Sequence, residues 1–165
     1  MHKRDTIITV ATLSIITLLA TLFWGPIQTA QAHCQVPCGI YNDAARIAAL
    51  NEDTETIAKC ITKINALAGK TDATSINQTV RWIQTKETHA SHIITVVSEY
   101  FLTQKVKAVG SDNKQGHQKY LESLARHHAV MVAAMKTKQN PSLKAVQTLN
   151  SAIHLLSHDY VQHQH

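Results

Sequence analysis

Apolar positions after residue 42 recur at spacings of three and four, and Gly and Pro fall between the periodic stretches. The first stretch, about Asp43 to Ala68, puts Ile47, Leu50, Ile57, Ile61, Ile64 and Leu67 on one face. Asn42 or Asp43 can cap its start, and Gly69 stands where a helix commonly ends in a left-handed glycine. The second, roughly Ser75 to Ala108, places Ile76, Val80, Ile83, Glu87, Ala90, Ile94, Val97 and Phe101 at alternating intervals of four and three. That 3.5-residue seam is the signature of helices packed nearly parallel to one another. The third, about His117 to Lys138, repeats it with Leu121, Leu124, His128, Met131 and Met135. The fourth begins at Pro141, read as the first helical residue, and carries Leu143, Val146, Leu149, Ile153, Leu156 and Tyr160. No alternating strand pattern or Asn-Gly turn competes, so the fold class predicted is all-α, an antiparallel four-helix bundle over residues 42–165.

The first 32 residues follow a different pattern. His2, Lys3 and Arg4 lead into an uncharged, largely apolar run from Ile7 to Trp24, then Gly25-Pro26 and Ala30-Gln31-Ala32. A positive start, an apolar centre and an A-x-A site describe a leader that a peptidase removes. Cleavage after Ala32 gives a mature chain that starts at His33. The alternative is an uncleaved anchor, since the apolar run just reaches membrane-spanning length. The leader predicts export to a periplasmic or lumenal space, with a membrane-anchored precursor or a cytoplasmic protein as alternatives.

Composition adds little about fold and more about what to exclude. The 44% hydrophobic and 16% charged residues are a globular balance. The net charge of +5 comes from scattered Lys and Arg not interleaved with aromatics, so no nucleic-acid partner is expected. Three cysteines are too few for a disulfide scaffold. Cys60, on the apolar face of the first helix, reads as a small buried hydrophobe.

The chemistry concentrates in residues 33–41, His33-Cys34-Gln35-Val36-Pro37-Cys38-Gly39-Ile40-Tyr41. Once Ala32 is gone, the His33 amine and the Cys34 amide nitrogen close a five-membered chelate ring, and that nitrogen with the Cys34 thiolate closes another. Cys38 can return its thiolate to the remaining in-plane position if the chain turns at Val36-Pro37, and the His33 imidazole can reach an axial one. Two nitrogens and two sulfurs in a plane suit a d⁸ ion such as Ni(II) rather than tetrahedral zinc.

His-Cys-x-x-Pro-Cys-Gly-x-Tyr at a processed N-terminus resembles the nickel hook of the nickel-containing superoxide dismutases, and Ser98-Glu99-Tyr100-Phe101 is similar to an acidic-Tyr-Phe run of that family. The resemblance implies a four-helix subunit and disproportionation of superoxide to oxygen and hydrogen peroxide by Ni(II)/Ni(III) cycling. It implies one nickel per subunit, held by His33, Cys34 and Cys38, with Tyr41 lining the substrate approach. It also implies a homohexamer, a leader peptidase and a nickel-delivery protein as partners. Two departures stand out. Gln35 replaces a common Asp, and Ala48-Ala49 occupies the stretch where family members carry a Glu near the axial histidine. Glu87 is the one charged residue on the second seam and a candidate to replace that Glu. A non-catalytic nickel-binding bundle is the alternative function, and a thiol redox module using Cys34 and Cys38 a weaker one.

The remaining histidines pair as His89 with His92, His127 with His128, and His154 with His158, before a His163-Gln164-His165 tail. Without a Glu-x-x-His motif they do not predict a ferritin-like di-metal centre. They read as surface or interface residues, with His128 in the core or an interface.

Overall fold

A computed structural model describes residues 42–161. The leader (1–32), the hook (33–41) and the last four residues lie outside them. Four α-helices follow one another: α1 Asp43–Leu67, α2 Ala73–Thr95, α3 Lys114–Gln139 and α4 Leu143–Ser157, with α2 running on as a π-helix over Val96–Lys105. No strand occurs among the described residues. Each helix packs against its sequence neighbour, and α4 closes back onto α1. Contacts descend in number along each neighbour (Asp43 to Tyr100, Asp53 to His89; Phe101 to His127, Lys86 to Thr137), so the four-helix bundle is antiparallel as expected.

The ends of the helices follow from local side-chain chemistry. The Asn42 side chain accepts from the Ala45 amide, Asp72 from Ser75 and Asn113 from Gly116, each relieving an amide that the first turn leaves unpaired. The Ser75 bonds also hold the Asp72 carboxyl below its usual range. α1 therefore uses Asn42 rather than Asp43. Caps at Asp72 and Asn113 start α2 and α3 two and three residues earlier than the periodicity alone places them. Gly69 takes the expected left-handed φ of 81°. Pro141 lies before the N-cap Ser142, not at the first helical position, and its carbonyl accepts from Asn65 Nδ2 on α1. α3 ends on a buried lysine: Lys86 Nζ donates to the Thr137 and Lys138 carbonyls at 2.9 and 2.7 Å and pairs with Glu87 at 2.5 Å. A cation there complements the negative end of the helix.

The core joins Leu50, Ile57 and Ile61 of α1 to Ala90, Ile93, Val97 and Phe101, to Val130 and Ala134, and to Leu149, Ile153 and Leu156. α1 and α4 bury most of the faces that the sequence predicts, with Ile64, Leu67 and Tyr160 half-buried and Leu143 exposed, and Cys60 is fully buried. Two seams are corrected. On α2 the buried line is Ser75, Lys86, Ala90, Ile93 and Val97, while Ile76, Val80 and Ile83 are 51%, 47% and 40% exposed. On α3, His127, Val130, Ala134 and Thr137 face the core, whereas Leu121, His128 and Met135 face outward. The predicted α2 row enters the core at Ala90, Val97 and Phe101 but not at Ile76, Val80 and Ile83, and on α3 the core uses the row beside Leu121 and Met135.

The π-helix has a structural consequence. Its wider turn lets the adjacent residues Tyr100 and Phe101 both enter the core. Thr103 Oγ1 and the Gln104 side chain donate to carbonyls five residues back, Ser98 and Glu99, and the Val106 amide closes the segment on Phe101.

Candidate functional site

The four residues that the sequence marks for metal and substrate, His33, Cys34, Cys38 and Tyr41, lie outside the described residues, so the structure brings none of them together. It does define the end of the bundle from which they extend. Asn42, the residue after Tyr41, is the α1 cap, and Asp43 opens the first turn. The Asp43 carboxylate accepts from the Tyr100 hydroxyl and pairs with Lys105 Nζ at 2.9 Å. The Arg46 guanidinium and the Lys105 ammonium stand 5.4 and 5.5 Å from the centre of the Tyr100 ring, within cation–π range. Burial first, then the bond to Asp43, pushes the Tyr100 hydroxyl above its usual pKa, while the same carboxylate raises Lys105. Tyr100 therefore keeps its proton and Lys105 its charge.

Directly beneath lies a ring cluster. Phe101 packs on Tyr160 at 4.4 Å between centroids, edge-on to Tyr100 at 5.0 Å, and 6.1 Å from His127. His127, fully buried, is fixed at both nitrogens: Nδ1–H donates to the Ser123 carbonyl at 2.7 Å, and Nε2 accepts from the Tyr160 hydroxyl at 2.7 Å. Burial drives the His127 pKa below its ordinary 6.5 and raises that of Tyr160. Both are held neutral. The sequence pair His127-His128 thus divides: the first residue, expected at the surface or an interface, is in the core, and the second is exposed rather than in the core.

The sign of the linkage follows. The unfolded chain takes up a proton at position 127 near pH 6.5, and the folded chain resists it. Stability is therefore complete above that pH and falls as the pH drops from 6.5 toward the lowered folded value, at up to about 1.4 kcal/mol per pH unit. Urea titrations between pH 7.5 and 5 are expected to show a slope in the native chain that is reduced in His127→Gln; equal slopes would remove His127 as its source.

A second network links α1 to α2. Asp53, buried on α1, receives His89 Nδ1 on one carboxylate oxygen and His92 Nδ1 on the other, both at 2.6 Å. His89 and His92 are partly exposed, as expected of surface histidines, yet each is tethered to this one carboxylate. Asp53 is not marked by the helical periodicity. Its signal was a charged residue between Leu50 and Ile57 on the buried stripe. Glu87 instead pairs with Lys86 and, at 3.7 Å, with Lys138. It sits thirteen residues along α2 from Tyr100, about 20 Å at 1.5 Å per residue. Cys60 is a free, buried thiol whose pKa burial raises, which makes it unreactive. Among the described residues no three His, Cys, Asp or Glu side chains gather as a metal site, and no helix is long and apolar enough to cross a membrane.

The described residues form an all-helical four-helix bundle, and the nine residues that precede Asn42 in the sequence hold a histidine and two cysteines. The family model of nickel-containing superoxide dismutase matches residues 28–164, a span that takes in both the donor stretch and the bundle, and the chain belongs to that family. It is accordingly a nickel-containing oxidoreductase with superoxide as its substrate. No curated protein and no solved structure matches it.

Proposed function

We propose that this superoxide dismutase holds one nickel per subunit at a processed N-terminus, through the His33 amine and imidazole, the Cys34 amide nitrogen and thiolate, and the Cys38 thiolate. The observation that carries the reading is the donor set itself. Two thiolates four residues apart, with a histidine directly after an A-x-A site, lie inside the region that the family model matches. These donors fit the ion: thiolates and an ionised amide are strong anionic ligands, able to stabilise an oxidation state that water and carboxylates do not. Nickel bound there supplies one-electron exchange between Ni(II) and Ni(III), by which two superoxide ions and two protons give oxygen and hydrogen peroxide.

The rest of the chain positions and steers. Cys38 is four residues before Asn42, a reach of about 14 Å at most, so an ion it holds stays near the Asp43–Tyr100–Lys105 cluster. Arg46 and Lys105 give that end of the bundle the sign that attracts an anion. Tyr100, protonated and fixed by Asp43, and Tyr41, two residues before Asp43, are the hydroxyls available to orient superoxide or a proton-bearing water. The exposed row Ile76, Val80 and Ile83 supports assembly through that face, consistent with a homohexamer, since an apolar row of this kind marks a contact surface. A leader peptidase exposes His33, a nickel-delivery protein fills the hook, and the leader directs the chain to a periplasmic or lumenal space.

The test is metal dependence. The chain starting at His33, loaded anaerobically with one equivalent of Ni(II), is expected to remove superoxide rapidly in a pulse-radiolysis assay, whereas the metal-free and Zn(II)-loaded chains are inactive. Stoichiometric nickel without turnover would favour the non-catalytic binding protein.

A further inference from the structure

Seven histidines lie among the described residues; His128 is exposed on α3, and the partners of the other six sort them. His89 and His92 are bound to Asp53, His117 Nδ1 to the Val109 carbonyl, and His127 to Ser123 and Tyr160. His154 and His158 differ. Both are exposed, His154 on the last turn of α4 and His158 at its C-cap; neither ring is hydrogen-bonded to a described residue, and the two rings meet edge to face with centroids 4.9 Å apart.

That separation has a chemical meaning. A divalent ion bound by one nitrogen from each of two imidazoles, at about 2.0–2.1 Å and an angle of about 90–110°, sets the ring centroids about 4.5–5.2 Å apart. The i, i+4 spacing places both rings on one helix face, and the backbone between them is already helical, so the pair is organised before any ion arrives. Its position helps further. The C-terminal turn of a helix carries partial negative charge, which favours a cation. His154 also borders an open groove between α1 and α4, lined by Asn51, Asn150, Ser151 and Ser157, which leaves room for the waters that complete the coordination shell.

We propose that His154 and His158 form a second metal site, a surface bis-imidazole site for a borderline divalent cation, Ni(II), Cu(II) or Zn(II), separate from the N-terminal hook. Imidazole is a suitable donor for all three ions, and two such donors completed by water hold an ion less tightly than a full set of thiolate and amide ligands. The site exchanges metal with solvent. The family reading enters only in the choice of nickel as the first ion to test; the imidazole geometry stands without it.

The experiment uses the mature chain carrying Cys34→Ser and Cys38→Ser, so that the hook thiolates do not compete. Ni(II) is titrated by calorimetry while imidazole ring resonances are followed by NMR. The expected result is one equivalent bound, with the His154 and His158 signals broadened first by the paramagnetic ion. His154→Gln or His158→Gln alone is expected to weaken uptake by about 10-fold to 100-fold, the scale on which even a supporting residue of a metal site matters. Both substitutions are on exposed positions, and circular dichroism confirms that the helices persist. Uptake unchanged in either variant overturns the proposal. So does uptake that survives both substitutions but disappears when residues 162–165 are removed, which would assign the ion to the tail histidines. Failure of the hook reading is seen separately, as equal nickel uptake by the native chain and the Cys34→Ser/Cys38→Ser chain.

Discussion

Replacing either Cys34 or Cys38 with Ser is expected to abolish tight nickel binding and superoxide turnover together, leaving only the uncatalysed reaction. The loss is large because the two thiolates do two things at once. In the proposed hook they hold the ion and supply the electron density that makes Ni(III) accessible. A serine hydroxyl is a poor ligand at neutral pH and does neither. The alternative thiol redox module makes a different prediction, activity that needs the cysteines but no metal. Metal analysis and superoxide decay measured on the same samples separate the two. Turnover retained in either serine variant would remove the hook mechanism, and since both positions precede the bundle core, unchanged helical circular dichroism ensures that a loss is chemical rather than structural.

The largest effect on stability is expected from Phe101→Ala. Phe101 is fully buried and touches Tyr100, Tyr160 and His127, which come from the π-helix, the end of α4 and α3. Truncation removes the surface that keeps these three apart from water and leaves a cavity beside the neutral His127–Tyr160 pair. A cost of about 3–5 kcal/mol is expected, the usual range for a core phenylalanine. Denaturant unfolding, monitored by far-ultraviolet circular dichroism, reads it directly. A loss below about 1 kcal/mol would mean that the ring cluster is not the packed centre described above. Tyr100 is positioned by the same packing, so the variant is also expected to lose activity at temperatures where it remains folded.

The helices were readable because their periodicity, caps and breakers agree. α1 and α4 bury most of the predicted faces, Gly69 takes its left-handed turn, and Cys60 is buried. What periodicity could not settle was which of two neighbouring rows meets the chain's own core. Ile76, Val80 and Ile83 form an apolar row, but spacing is silent on whether such a row faces the same chain or another. Lys86 shows the converse. A lysine reads as surface, yet here it turns inward because three acceptors, two of them the terminal carbonyls of α3, satisfy its ammonium. Asp53 is buried for a related reason, since His89 and His92 on the facing helix saturate its two oxygens. Such partners are distant in sequence, and no local pattern announces them. The burial of His127 has the same origin: two adjacent histidines are alike until Ser123 and Tyr160 bond one of them.

The candidate site was legible in a different way. The donors of the hook are contiguous, so their chemistry could be read from nine residues without any knowledge of the fold. What supports them was not. Ser98-Glu99-Tyr100-Phe101 stood out only through its likeness to the family. The link from Tyr100 to Asp43, two residues past Tyr41, needed the antiparallel pairing of α1 with α2. Glu87, the candidate to replace the Glu missing at Ala48-Ala49, has its carboxylate engaged by Lys86 and Lys138.

In the proposed site the nickel ligands include the free amine of His33, created by removal of the leader. Superoxide turnover after anaerobic Ni(II) loading of two purified chains, one beginning at His33 and one retaining Ala32, tests it most directly. Retaining Ala32 converts that amine into an amide and displaces the new terminus by one residue, which breaks the first chelate ring while leaving both thiols in place. Rapid nickel-dependent turnover by the His33 chain alone is the predicted result. Equal turnover by both chains would contradict the role of the terminal amine, and no turnover by either, with stoichiometric nickel in the first, would contradict catalysis at the hook.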